Sequence, residues 1–150
     1  MNRPLLRPRI LLIEDDPERI ATFREWVGTD FVLIEASSGG RALGILKKGT
    51  TGIAGLALDN DLEKQCLTDS DYRLSGSGLI STITQSVPRS VPVLIHSMNT
   101  QMPPSMERSL KSAGFSVTRT RMVALTRELF HRWLEEVRDN WDDSCVSERI

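Results

Sequence analysis

Three short polar clusters in this sequence each follow an apolar run. They are Glu14-Asp15-Asp16, Asp59-Asn60-Asp61 and His96-Ser97-Met98-Asn99. Carboxylates that meet at one place repel one another, and a hard cation such as Mg²⁺ relieves that repulsion by taking oxygen ligands. Histidine is the side chain best suited to exchange a proton near neutral pH. These residue types predict a pocket that handles phosphate groups. Its predicted metal ligands are Glu14, Asp15, Asp59 and Asp61.

The apolar runs alternate with segments of helical spacing. Strands are predicted over 9–13, 31–36, 53–58, 91–95 and 115–120, and helices over 17–28, 41–48, 79–83, 103–113 and 123–141. Right-handed crossovers then predict an α/β fold, a doubly wound five-stranded parallel sheet with helices on both faces. Such sheets bind ligands outside the carboxyl ends of their strands, where all three polar clusters fall.

Length and composition indicate one ordinary globular domain over residues 1–150, with a disordered tail over about 142–150. Nineteen basic and twenty acidic residues leave a net charge of -1, so no global basic field exists to hold nucleic acid. Cys66 and Cys145 lie far apart, which indicates free thiols in a reducing compartment. No apolar run approaches the roughly 20 residues that cross a bilayer. We therefore expect a cytoplasmic protein without a membrane partner.

Residues 10–17 (ILLIEDDP) resemble the first strand and acidic pair of receiver domains in two-component signalling, the CheY-like class. The resemblance implies a flavodoxin-like receiver topology. It also implies that Glu14 and Asp15 hold a metal ion, that Asp59 accepts a phosphoryl group and that Ser97 contacts that group.

The sequence departs from ordinary receivers at three places. A proline usually follows the acceptor within a few residues, and here the sequence is Asp59-Asn60-Asp61-Leu62-Glu63. Arg119 or Arg121 stands where receivers have a phosphate-binding lysine, and arginine presents a planar fork rather than a compact ammonium. The polar segment 63–77 is an insertion.

These departures resemble the cyclic-phosphate-processing branch of receiver domains. The shared features are Asp59-Asn60-Asp61-Leu62, Ser75-Gly76-Ser77-Gly78, His96-Ser97-Met98-Asn99 and Met106, with Asn60 in place of that branch's histidine. This resemblance implies metal-dependent opening of an RNA-type cyclic phosphate. Asp59 and His96 would be central to that reaction. His96 would act as acid or base, Ser97 and Asn99 would donate hydrogen bonds, and Arg119 or Arg121 would bind phosphate.

Three functions remain open from the sequence. They are a metal-dependent phosphoesterase, a phospho-accepting receiver with Asp59 as acceptor, and a receiver-like binding module without chemistry. The expected partner is a phosphate-bearing small molecule or a nucleic-acid end. Asp16 is predicted to cap a helix, and His131 to be structural. Trp133 and Trp141 on the last helix are predicted to complete the core, although that helix also offers a surface for a protein partner.

Overall fold

The computed structural model describes residues 7–60, 76–98 and 105–148. The strands are β1 (Arg9–Ile13), β2 (Val32–Ala36), β3 (Ile53–Asp59), β4 (Val93–Ser97) and β5 (Val117–Arg121). The helices are α1 (Pro17–Val27), α2 (Gly39–Lys48), α3 (Gly76–Ser86), α4 (Ser105–Ser112) and α5 (Arg127–Glu148). Within this part of the chain, no helix is both long and apolar enough to cross a membrane.

All described strand pairs are parallel, and the sheet order is β2-β1-β3-β4-β5. The doubly wound, flavodoxin-like parallel sheet predicted from the sequence is thereby confirmed. In this order β1, β3 and β4 are neighbours in the middle of the sheet, so the polar residues at their carboxyl ends share one edge. The register places Asp59 opposite His96, and Ser97 opposite Arg121.

The sheet carries a hydrophobic core on each face because successive strand residues point to opposite sides. Leu11 and Ile13 of β1 belong to the core that packs against α2, α3 and α4. Ile10 and Leu12 belong to the other core, which packs against α1 and α5. Burial on both faces explains why the central strands are continuous apolar runs rather than alternating ones.

Helix α1 begins as the sequence predicts. Asp16 Oδ1 accepts hydrogen bonds from the backbone N–H of Glu18 at 2.8 Å and of Arg19 at 3.3 Å. Pro17 stands at the first helical position, where its missing N–H costs nothing. The helix ends at Gly28, whose φ of 69° suits a residue without a side chain. This cap fixes where α1 starts relative to the acidic end of β1.

The end of the chain differs from the sequence expectation. Residues Met122–Ala124 form a 3₁₀ turn, and α5 begins only at Arg127. Thr126 Oγ1, just before the helix, accepts a hydrogen bond from Leu129 N at 3.2 Å. The helix then continues to Glu148, into the segment 142–150 for which the sequence predicts a disordered tail. Residues 115–150 contain neither glycine nor proline to stop a helix. The disorder of residues 142–150 stays a prediction.

Three strands, β3, β4 and β5, end later than the sequence pattern suggests, the last of them by one residue at Arg121. β3 includes Asp59, and β4 runs from Val93 to Ser97 instead of covering 91–95. Proline at position 92 has no N–H to donate to a sheet, so the ladder of β4 starts after it. Asp59, His96 and Ser97 are therefore held by the sheet itself and not by the loops that follow it.

Candidate functional site

The site lies where β1, β3 and β4 end. Glu14 follows β1, Asp59 is the last residue of β3, and His96 is the fourth residue of β4. One ligand atom of each lies within 4.8 Å of the others, and all three residues are at most 1% exposed. We call these three residues, with Asp15 and Arg19, the acidic pocket. Three of the four predicted metal ligands, Glu14, Asp15 and Asp59, thus belong to it, and the fourth, Asp61, lies outside the described residues.

Both oxygens of the Glu14 carboxylate accept hydrogen bonds. Oε1 accepts from Arg19 Nε at 2.5 Å and lies 3.2 Å from His96 Nε2. Oε2 accepts from Arg19 Nη2 at 3.1 Å and from the backbone N–H of Asp15 at 2.9 Å and of Asp16 at 3.3 Å. A buried charge is tolerated when it is paired and hydrogen-bonded in this way. Glu14 is therefore an anchor whose acceptor sites are already in use.

Arg19 supplies positive charge to the whole pocket. Besides its bidentate contact with Glu14, its Nη2 lies 3.8 Å from Asp15 Oδ1 and 3.9 Å from Asp59 Oδ2. Its Nη1 lies 3.4 Å from Asp16 Oδ2. One guanidinium thus faces four carboxylates from two strand ends and the cap of α1. The sequence reasoning missed Arg19. The available signal was its position three and four residues after Asp16 and Asp15 on a predicted helix.

His96 lies at the bottom of the pocket. An ionised carboxylate only accepts hydrogen bonds, so the contact with Glu14 Oε1 assigns the proton to Nε2. Within the described residues, no group hydrogen-bonds to the buried Nδ1. The ring packs against Phe23 with a centroid distance of 4.8 Å. The imidazole is thus fixed in orientation, and its role in proton exchange stays a prediction.

The charges of Glu14 and Arg19 are stable around neutral pH. Burial alone raises the pKa of Glu14, but hydrogen bonds from His96 and Arg19 outweigh it and hold that pKa far below its usual value. The hydrogen bond to Glu14 in turn raises the pKa of Arg19 above its normal value, against the opposing effect of burial. Glu14 is accordingly a carboxylate and Arg19 a guanidinium at any physiological pH.

The remaining predicted site residues are distributed around this pocket. Ser97 is buried at the end of β4, and its register partner Arg121 is exposed. Arg119, two residues earlier on β5, has its Nη1 4.0 Å from Glu107 Oε1 on α4. Asp61 and Asn99 lie outside the described residues, as does the Ser75 part of the glycine-serine motif.

Asn60, which stands where the cyclic-phosphate-processing branch has histidine, is 3% exposed. Its Nδ2 has no hydrogen-bond partner in the described part of the chain. The histidine predicted to be structural has such a role in the fold, because His131 Nε2 lies 2.8 Å from the backbone oxygen of Trp26. The second histidine of the sequence is therefore tied to the α1–α5 contact, away from the acidic pocket.

The donor set of the acidic pocket differs from that of a magnesium site. Mg²⁺ prefers six oxygen ligands at 2.0–2.1 Å and usually keeps several waters. The two oxygens of Glu14 are occupied by N–H donors, and the Arg19 guanidinium lies within 4 Å of both other carboxylates that would share the ion. With Arg19 in this position, the donor set does not fit a divalent cation. Magnesium binding by this chain stays a prediction.

Comparison with known proteins gives the fold. No protein-family model matches the sequence, and no curated protein matches it either. Solved structures of receiver domains do match. The signal receiver domain of a putative LuxO repressor protein from Vibrio parahaemolyticus has 17% sequence identity and a TM-score of 0.67, with 94% of this chain and 98% of that one covered. At such identities the likeness shows the fold alone.

Two further receiver domains are similar. One belongs to an HD domain-containing protein from Pseudomonas fluorescens Pf-5, with 14% identity, a TM-score of 0.66, and 92% and 99% of the two chains covered. The other belongs to a sensor histidine kinase from Pseudomonas aeruginosa PAO1, with 16% identity, a TM-score of 0.63, and 88% and 98% covered. That domain has a magnesium ion coordinated in its active-site cleft. This chain accordingly has the receiver fold, with a buried acidic cluster at the sheet edge.

Proposed function

We propose that this chain is a signalling receiver in which Asp59 accepts a phosphoryl group. The observation that carries the proposal is the position of Asp59, a carboxylate at the carboxyl end of the central strand β3, with a guanidinium nitrogen 3.9 Å from its Oδ2. Neighbours of this fold are receiver domains, which supports the assignment. Ligands of doubly wound sheets bind at this edge.

The proposed reaction transfers a phosphoryl group from a donor to the carboxylate of Asp59. An oxygen of Asp59 attacks the phosphorus of a phosphohistidine or of a small acyl phosphate, and a new acyl-phosphate P–O bond forms. The P–N or P–O bond to the leaving group breaks at the same time. The imidazole leaves as a neutral ring after taking up a proton, whereas acetate leaves as its anion. Positive charge is required on the phosphoryl oxygens, and Arg19 is the cation that the pocket offers for it.

Access to Asp59 sets a condition on this reaction. The Asp59 side chain is 2% exposed, so a phosphoryl donor reaches it only after neighbouring residues move aside. We therefore expect slow acceptance from small donors. Ser97, at the end of the adjacent strand, is the hydroxyl proposed to contact the bound phosphoryl group.

Hydrolysis of a cyclic phosphate ester is the second candidate, because His96 is fixed between Glu14 and Phe23 beside Asp59. A histidine held by a carboxylate is a common arrangement for proton transfer. In this reaction a positioned water would attack phosphorus and pass a proton to Nδ1 of His96. His96 would then give that proton to the leaving 2′ or 3′ oxygen as the bond from this oxygen to phosphorus breaks. Arg121 and Arg119 remain the proposed phosphate-binding residues in either reaction.

One paired assay separates the candidates. The protein is incubated with acetyl phosphate, with phosphoramidate, or with a nucleoside 2′,3′-cyclic phosphate. Each incubation is run twice, once with magnesium and once with a chelator instead. Intact-mass spectrometry measures a covalent phosphoryl group, and chromatography measures opening of the cyclic ester. The receiver function predicts a single phosphoryl addition that Asp59→Asn abolishes. The exposed Asp139 of α5 provides the matched control, because Asp139→Asn should keep the addition.

Turnover of the cyclic ester that His96→Ala abolishes would instead support the hydrolase. If neither phosphoryl donor modifies the folded protein and no ester is opened, both proposals fail, and the chain is a receiver-fold binding module without phosphoryl chemistry.

A further inference from the structure

We infer that the guanidinium of Arg19 fills the cation position of the acidic pocket and thereby competes with a divalent metal ion for that position. Arg19 is then the residue that sets the metal affinity of the site. This inference concerns the pocket's cation, and it holds whether or not Asp59 accepts a phosphoryl group.

The first argument is geometric. A cation that serves this pocket must lie among the carboxylates at the ends of β1 and β3. Arg19 Nη2 occupies such a position, since the same nitrogen lies 3.1 Å from Glu14 Oε2, 3.8 Å from Asp15 Oδ1 and 3.9 Å from Asp59 Oδ2. Three carboxylates therefore already share one positive charge that is covalently part of the chain.

The second argument is the strength of the anchor. Arg19 is bound to Glu14 through both Nε and Nη2, and the Glu14 side chain is 0% exposed. Moving Arg19 aside would leave a fully buried carboxylate without its main partner, which is among the most unfavourable changes in a protein interior. An arginine fork also matches a carboxylate geometrically, so the bidentate pair is well suited to hold its position.

The third argument is repulsion between cations. A divalent ion bound by Asp15 and Asp59 would lie near the guanidinium while Arg19 remains in place. Even at the dielectric constant of bulk water, repulsion between a divalent ion and a unit charge about 4 Å away amounts to roughly a thirtyfold loss of affinity. In the buried pocket the effect is larger. Removal of Arg19 should therefore create a metal site from ligands that already face one another.

The chain provides a matched control on the same helix. Arg24 also makes a bidentate contact with a glutamate, through Nε at 2.8 Å and Nη2 at 2.7 Å to Glu35, but this pair lies on the surface, five residues farther along α1 than Arg19. Arg24→Ala removes one arginine and one bidentate pair, as Arg19→Ala does, and leaves the acidic pocket intact. Differences between the two variants report on the pocket alone.

The test is a titration of the full chain with Mn²⁺. Binding is measured by calorimetry and, independently, by the electron paramagnetic resonance signal of free Mn²⁺. Mn²⁺ takes the same oxygen ligands as Mg²⁺ and is directly visible. We expect wild type and Arg24→Ala to bind weakly or not at all. Arg19→Ala and Arg19→Gln should bind one ion about thirtyfold more tightly or better. Metal should also raise the melting temperature of these two variants only.

Wild-type binding as tight as that of the folded Arg19 variants would overturn the inference, because Arg19 would then not compete for the position. Folded Arg19 variants that bind no metal would overturn it as well, because the pocket would then offer no cation site. If both variants fail to fold at every Mn²⁺ concentration, the wild-type nuclear magnetic resonance titration decides. Saturable broadening of the Asp59 and Asp15 amides contradicts the inference, and unbroadened signals support it. None of these readouts uses a phosphoryl donor, so failure here is distinct from failure of the receiver function.

Discussion

Replacing Glu14 by glutamine removes the buried charge of the acidic pocket while keeping the size of the side chain. The amide would present one oxygen and one NH₂ group where the carboxylate presents two acceptors. Oε1 faces Arg19 Nε and His96 Nε2, and Oε2 faces Arg19 Nη2 and two backbone N–H groups. In either orientation the NH₂ group therefore meets donors. The partly exposed Arg19 guanidinium also loses the carboxylate that it contacts in a bidentate manner.

Loss of one partner of a buried ion pair costs about 3–5 kcal/mol in comparable proteins. Because Arg19 is partly exposed and water reaches it, we expect the lower end of that range, about 3 kcal/mol of unfolding free energy for Glu14→Gln. The assay is equilibrium unfolding in urea at pH 7, followed by tryptophan fluorescence, for which the buried Trp133 is a suitable reporter. Glu35→Gln is the control, since it breaks the exposed pair with Arg24 and should hardly move the unfolding midpoint.

The pH dependence of the unfolding free energy provides a second test with the same variant, Glu14→Gln. The pKa of Glu14 is lowered in the folded state from a usual value of 4.5, so its stabilising effect is fully present above that value. It is lost progressively as the pH falls below about 4.5 toward the folded-state pKa. The stability gap between wild type and Glu14→Gln should accordingly be largest at neutral pH and shrink in acid. Equal stabilities at pH 7, or a gap that is independent of pH, would refute the electrostatic reasoning.

Three further predictions concern the scaffold of the pocket. Gly55→Ala should lower the unfolding free energy by about 1–3 kcal/mol, because the new Cβ would lie 2.9 Å from Val137 Cγ2. An unchanged urea midpoint would show that β3 and α5 are not closely packed at this position. Asp16→Ala removes the acceptor of the 2.8 Å hydrogen bond from Glu18 N and should cost about 1 kcal/mol, measured by thermal unfolding, with no loss speaking against the cap. Phe130→Ala should cost about 3–5 kcal/mol by the same urea assay, since the ring is 1% exposed; a loss below 1 kcal/mol would contradict its place in the core.

Much of the fold is contained in local patterns of the sequence. The continuous apolar strands, the Asp16-Pro17 helix start and the glycines that follow α1 and α2 all lie within a few residues of the features that they predict. The topology then follows from the handedness of parallel crossovers. Strand ends were less predictable. Pro92 delays the start of β4 by two residues relative to the apolar pattern. The strand also ends two residues later, so that His96 is a strand residue and its Nε2 lies 3.2 Å from Glu14 Oε1.

Arg19 was not predictable from its neighbourhood in the sequence. An arginine four residues after an aspartate on an amphipathic helix usually belongs to a solvated surface. Here α1 starts directly at the sheet edge, and its first turn carries Arg19 over the ends of β1 and β3. The contact with Asp59 joins residues 40 positions apart, so only the tertiary arrangement reveals it. The sequence pattern predicted carboxylates at one edge of the sheet, and the structure places the Arg19 guanidinium among them.

The sequence also could not distinguish Arg119 from Arg121 as the phosphate-binding residue. The end of β5 was expected to supply a phosphate-binding cation, and alternation along the strand leaves two candidates with similar orientation. In the structure Arg119 Nη1 approaches Glu107 on α4, whereas Arg121 stands at the strand end opposite Ser97. Arg121 is therefore the better placed of the two for a ligand at the sheet edge.

The most direct test of the receiver function is chemical mapping of the modified residue. After incubation with acetyl phosphate, sodium borohydride reduces an aspartyl phosphate to homoserine, and tandem mass spectrometry of the digested protein locates it. The proposed function predicts homoserine at position 59 and at no other aspartate, with the signal absent in Asp59→Asn. Homoserine at exposed aspartates such as Asp139 at equal yield, or none at position 59 in folded protein, would contradict it.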